Sequence, residues 1–191
     1  MKIKELRKVT NYKFLNMYEL DYTDMRGNDK SWEFVSRNPE PKCVHQTFSE
    51  PDAVVIVPFH TGLNKLVVIE EFRVPLTGYQ FGFPAGLVDE GESITDAGKR
   101  ELKEETGLDL TKVLKQSPPV YSTSGMTDES VCMLYVECDG VADNKQNESS
   151  EDIKTHFLSQ QETIELLQDK SIKFDVKTWL ALSTFAQTGS L

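Results

Sequence analysis

A chain of 191 residues, 38% hydrophobic and 27% charged, is long enough to bury a domain-sized core and too apolar to stay unfolded. Its 21 basic residues fall short of its 31 acids, for a formal charge of −10, so it lacks the basic footprint with which proteins displace counterions from nucleic acid. There is no run of ~18 apolar residues to cross a membrane, no apolar stretch after MKIKELRKV, and no C-x-x-C pair among Cys43, Cys132 and Cys138; these features predict a soluble, cytoplasmic protein without disulfides or a membrane partner.

In chain order, residues 13–24 and 31–37 are rich in aromatic and β-branched side chains around Met25-Arg26-Gly27-Asn28-Asp29, which predicts a β-hairpin in a small N-terminal unit. Residues 53–59 and 65–72 form a second hairpin across His60-Thr61-Gly62-Leu63-Asn64, and the first run is apolar enough for a central strand. Residues 78–92 carry four of the eleven glycines and should bend tightly. From Ser93 to Thr106 the pattern turns helical, with Ser93 and Asp96 as a start signal and Gly107 as a C-terminal cap. Strands are expected at 113–121 and 131–138, an acidic loop at 139–152, and helical segments at 162–168 and 176–186. Cys132 and Cys138 are expected to be buried, and His45, His60 and His156 have no metal-ligand spacing.

The residues that carry chemistry crowd the first helix. At about 100° per residue, Glu101, Glu104 and Glu105 fall within roughly a 100° sector, so three carboxylates face one region. They also lie near the helix C-terminus, where the dipole disfavours each anion by about 0.3–1 kcal/mol. A hard divalent cation offsets this repulsion, because Mg²⁺ takes one or two carboxylates while phosphates and waters complete its shell. On the helix alone, a solvated surface with Glu–Lys pairs remains an equal reading. Gly98-Lys99 is no phosphate loop, since Arg100 stands where Ser or Thr is needed, and no Gly-x-Ser-x-Gly elbow occurs.

The wider spacing favours the metal. Gly86, five residues, Glu92, seven residues, then Arg100-Glu101-Leu102-x-Glu104-Glu105-x-Gly107-Leu108 resembles the Nudix box at every fixed position. Tyr22-x-Asp24-x-x-Gly27, Ser31-Trp32-Glu33-x-Val35-x-Arg37, Glu71-Phe72-Arg73, Phe83-Pro84-Ala85-Gly86 and Phe174-Asp175-x-Lys177-Thr178 are similar to the ADP-ribose pyrophosphatase branch of that family. Ser124 departs from it, standing where the branch has proline.

The resemblance implies an α/β fold: a Nudix α/β/α sandwich with a mixed sheet over residues 46–191, preceded by a β-unit over 1–45 that joins two subunits into a homodimer and completes a nucleotide pocket. It implies Mg²⁺-dependent hydrolysis of ADP-ribose to AMP and ribose 5-phosphate, with Mn²⁺ as the alternative ion. Glu101, Glu105 and the carbonyl of Ala85 would hold metal, with Glu104 supporting or bridging, and Arg100 and Glu92 would orient the loop. Glu151, with Glu148 second, would take the proton from water, although both also suit a plain acidic loop. Trp32 would stack on adenine or else fill a core; Arg73 would contact phosphate or ribose and Glu129 a ribose hydroxyl, or else each would be a surface charge. Another nucleoside diphosphate sugar such as GDP-mannose is the competing substrate, and a nucleotide-sugar sensor the competing class, which the intact Glu101, Glu104 and Glu105 disfavour.

Overall fold

The computed structural model describes residues 1–44, 50–143, 145–147, 149 and 151–190. Along them run β1 (Lys2–Lys8), β2 (Asn16–Thr23), β3 (Asp29–Ser36), β4 (Ala53–His60), β5 (Lys65–Arg73), β6 (Gly78–Gly82), β7 (Ala85–Leu87), α1 (Ile94–Thr106), β8 (Asp109–Gln116), β9 (Val120–Tyr121), β10 (Ser130–Asp139), β11 (Ile153–Leu158), α2 (Gln160–Gln168) and α3 (Val176–Thr188). They form two compact units, 1–52 with 119–131 and 53–118 with 132–191.

The first unit is built on an antiparallel β1-β2-β3 sheet. The expected hairpin is present, closed by the Asp24 carboxylate, which accepts the Arg26 and Asn28 amides at 2.8 and 2.9 Å, and by Gly27 at φ 85°. β1 was not expected, because KIKELRK has too few apolar residues to read as a strand. It is held by main-chain pairing and by Arg7, whose guanidinium donates to Glu19 and Asp21 at 2.7 and 2.6 Å. Elsewhere in this unit, the partly buried Lys42 ammonium pairs with the Asp52 carboxylate and lies 2.6 Å from the Ser130 hydroxyl.

In the second unit the strand order is β11-β5-β4-β10-β8, with β6 added to β5 and β7 to β4. Most pairs are antiparallel. β4 and β10 run parallel, since the Asp52 amide bonds to the Ser130 carbonyl at one end and the Thr61 amide to the Cys138 carbonyl at the other, so the sheet is mixed. β4 is central, as its apolar run predicts. Strand alternation then sorts its side chains: Val54 and Ile56 pack with Ala97 and Leu102 of α1, whereas Phe59 meets Phe185 of α3 edge-on. Helices on both faces make an α/β/α sandwich. Cys132 and Cys138 are both buried.

β11 falls where an acidic loop was expected to lead directly into helix. It forms because Ile153 to Leu158 pair with Glu71 to Leu66 along most of β5, burying Ile153. α1 begins at the predicted cap, Ser93, which accepts the Asp96 amide at 3.1 Å; α2 begins two residues earlier than expected, on a reciprocal Ser159–Glu162 capping box, and Asp175 accepts two amides at the start of α3. No described helix is long and apolar enough to cross a membrane. α1 packs closely enough to require glycine at position 98, where a Cβ would stand 2.5 Å from Leu134 Cδ2. Gly98→Ala should therefore destabilise by about 1–3 kcal/mol through overpacking, read by urea unfolding; an unchanged midpoint would show that Leu134 yields freely.

Candidate active site

A short strand, a turn and one helix place the acids. β7 pairs with β4, Val54 opposite Gly86 and Val55 opposite Ala85, and the chain then turns through Asp89–Glu92 into α1. Arg100 ties turn to helix. Its Nε and Nη2 donate to the two carboxylate oxygens of Glu92 at 3.0 and 2.9 Å, and Nη2 also reaches the Leu87 carbonyl at 3.0 Å. Nη1 donates to Glu101 at 2.6 Å and to Glu104 at 3.3 Å. This two-pronged hydrogen bonding holds the Glu92 carboxyl below the usual carboxylate range.

Glu101 and Glu105 lie one turn apart on the buried side of α1, while Glu104 is half-exposed. Glu105 is 6% exposed and its carboxylate accepts the Ala85 amide at 3.2 Å. Burial pushes its carboxyl well above the usual range, and the negative charges of Glu101, Glu71 and Glu151 push the same way against that one hydrogen bond. Glu101 is raised too, by burial first and by repulsion from Glu104 and Glu151, with Arg100 opposing. Gly86 leaves room for this carboxylate: a Cβ there would lie 1.8 Å from Glu101 Oε1.

The structure thus brings Ala85, Glu101 and Glu105 into one region, with Glu104 joined through Arg100 and Glu151 within electrostatic reach. Glu148 lies outside the described residues. Arg73 is half-exposed and donates from Nη1 to Glu71 at 2.7 Å. Glu71 is an acid of this region that local sequence patterns do not single out; its signal is strand alternation, which puts Ile69, Glu71 and Arg73 on one face of β5. In the first unit, Trp32 is 49% exposed, so it does not fill a core, and its indole N–H donates to the Gly125 carbonyl at 3.2 Å. Glu129 accepts from Arg37 Nε at 3.1 Å. Ser124 occupies a turn closed by the Met126 and Thr127 amides on the Thr123 carbonyl, so this turn forms without proline.

As placed, Glu101 is turned onto Arg100 and Glu105 onto the Ala85 amide, and among the described residues no three acid, histidine or cysteine side chains converge on one point. The donor chemistry still fits a hard divalent cation. Every donor is an oxygen, the nearby negative charge exceeds what Arg100 neutralises, and the most buried acid is opposed by the charges of Glu101, Glu71 and Glu151.

A model of the NUDIX domain matches residues 50–180. The chain belongs to the Nudix hydrolase family. This Nudix hydrolase is 28% identical over 137 residues to the ADP-ribose pyrophosphatase of Saccharomyces cerevisiae, a match covering 71% of this chain and 58% of that protein. It is 42% identical over 90 residues to the ADP compounds hydrolase NudE of Escherichia coli, covering 45% and 47%. The chain therefore spans only about half to three fifths of those relatives' own lengths. The Nudix fold itself is shared with a crystal structure of an ADP compounds hydrolase, at a TM-score of 0.71 and 23% identity over 98% of this chain and 94% of that one.

Proposed function

We propose that this Nudix hydrolase splits the pyrophosphate bond of ADP-ribose, giving AMP and ribose 5-phosphate, with Mg²⁺ or alternatively Mn²⁺ as cofactor, and that it works as a homodimer. The observation that carries the reading is the buried Glu105 among Glu101, Glu71 and Glu151, an acid excess where the last turns of α1 face Ala85 and Gly86. Relatives named for ADP-ribose and ADP compounds support the adenine nucleotide.

Glu101, Glu105 and the Ala85 carbonyl would hold the ion, with Glu104 supporting. When bound, it supplies an activated water and neutralises charge on the pyrophosphate oxygens. The chain's own residues do the rest. Glu151 takes a proton as the water oxygen bonds to phosphorus and the bridging oxygen leaves. Glu148 is the alternative acceptor. Arg73, its Nη1 anchored by Glu71, offers its outer guanidinium edge to a phosphate. Trp32 stacks on adenine: its edge is fixed by Gly125 and half of it is exposed. Glu129 accepts from a ribose hydroxyl, and residues 1–45 serve as the dimerising β-unit.

Mass spectrometry of products after incubation with ADP-ribose and Mg²⁺ tests this directly, with AMP and ribose 5-phosphate expected. A tenfold or greater preference for GDP-mannose under matched metal would overturn the substrate, and absence of turnover on any such compound would leave a sensor. Trp32→Ala should raise KM by roughly 5- to 150-fold, the equivalent of about 1–3 kcal/mol of stacking, with kcat little changed. An unchanged KM would remove the stacking role.

A further inference from the structure

Glu151 is useful as a base only if the chain on at least one side of it is fixed, because a carboxylate on a free loop spends little time in any one geometry. The residue that follows it is fixed from several directions at once. The Phe72 amide of β5 donates to the Asp152 carbonyl at 3.0 Å. The Tyr79 hydroxyl, from β6, donates to the Asp152 carboxylate. One position further, Ile153 is buried and paired with Glu71. Tyr79 is itself held: its ring meets Phe72 edge-on at 5.5 Å, and the Lys154 ammonium sits over its face at 4.5 Å. Register explains how these groups meet. Phe72 lies opposite Tyr79 on β5 and β6, and Lys154 opposite Glu70 on β11 and β5, so adjacent strands bring Phe72 and Lys154 onto the Tyr79 ring whose hydroxyl holds Asp152.

We propose that Tyr79 and Asp152 are positioning residues for the hydrolysis, a clamp that fixes the point from which the Glu151 carboxylate reaches the reacting water. The inference rests on the reading of Glu151 as proton acceptor. Tyr79 does not touch the acid cluster through any hydrogen bond of its own; its bond goes to Asp152, so it acts through its neighbour's backbone. β11, which begins two residues after Glu151, packs against α1, and Glu151 is within electrostatic reach of both Glu101 and Glu105. The sequence gives no hint of the clamp, since a tyrosine in a glycine-rich run and an aspartate in an acidic loop are each unremarkable where they stand.

The test is a double-mutant cycle on the full chain with ADP-ribose and saturating Mg²⁺. Tyr79→Phe keeps the ring, its edge contact and its cation contact, and removes only the hydroxyl. It should lower kcat by about 3- to 10-fold, leave KM within twofold, and leave the thermal midpoint close to that of the unaltered protein. Asp152→Ala should give a similar kcat loss, and Asp152→Asn, which keeps an oxygen acceptor, should recover most of it. In a Glu151→Gln background, already strongly impaired, Tyr79→Phe should cost nothing further, because there is no longer a base to position. A Tyr79→Phe loss that is equally large with and without Glu151 would overturn the clamp. So would normal kcat in Tyr79→Phe beside a disabled Glu151→Gln. Near-normal turnover by Glu151→Gln would instead overturn the base assignment, and the clamp with it.

Discussion

Glu105→Gln should yield a protein that folds, resists unfolding better than the unaltered chain in metal-free buffer, and turns substrate over at least roughly a hundredfold more slowly. Both effects come from the same buried carboxylate. Glutamine keeps the shape and an oxygen to accept the Ala85 amide, while removing a charge that Glu101, Glu71 and Glu151 all oppose. The sign follows from linkage. Glu105 holds its proton more tightly folded than unfolded, so its favourable contribution is present below the ordinary glutamate range and is lost as pH rises through its elevated value. Glutamine has no such loss. In urea unfolding with chelator, the stability gap between variant and unaltered protein should open as pH rises above the ordinary range and then level off. Added Mg²⁺ should narrow it by stabilising only the unaltered protein. A gap independent of pH, or near-normal turnover by the variant, would remove Glu105 from the proposed site.

Gly86→Ala should be nearly as damaging to activity while leaving stability close to that of the unaltered chain. The added methyl would fall within 1.8–2.4 Å of the carboxylate atoms of Glu101, yet those atoms are the far end of a flexible side chain and can swing aside. The fold should survive. What goes is the position of Glu101, and with it the bond from Arg100 Nη1. Turnover should fall by roughly a hundredfold or more, and titration calorimetry should show weakened Mg²⁺ uptake. Full activity would mean that Glu101 can work from another rotamer, and a collapse of the thermal midpoint would mean that the clash is taken up by backbone instead.

Much of this arrangement is legible before any coordinates. α1 announces itself because cap, period and stop signal agree: Ser93, the apolar spacing and Gly107 each point to the same thirteen-residue helix. The acids on it are legible because a helix converts spacing into a shared face. Less visible is anything that depends on pairing. β1 is charged along its length and becomes a strand only because β2 presents an open edge and counter-charges for Arg7. β11 takes its identity from β5, whose side it covers. Glu71 reads as one more acid until strand alternation turns it towards Glu105. Trp32 as a half-exposed ring anchored by Gly125 depends on a contact across 93 residues, which no local pattern encodes.

Arg100 makes the site's order rest on a single side chain. Its fork grips Glu92 and Leu87 on the loop and Glu101 and Glu104 on the helix, so the two segments share one hinge pin. Because a guanidinium keeps its charge across all practical pH, base cannot withdraw that pin; only acid, by protonating the glutamates it grips, loosens it. The loop is therefore assembled ahead of any encounter with a ligand, and a lysine in its place, with one point charge for five donors, could serve the loop or the helix but not both.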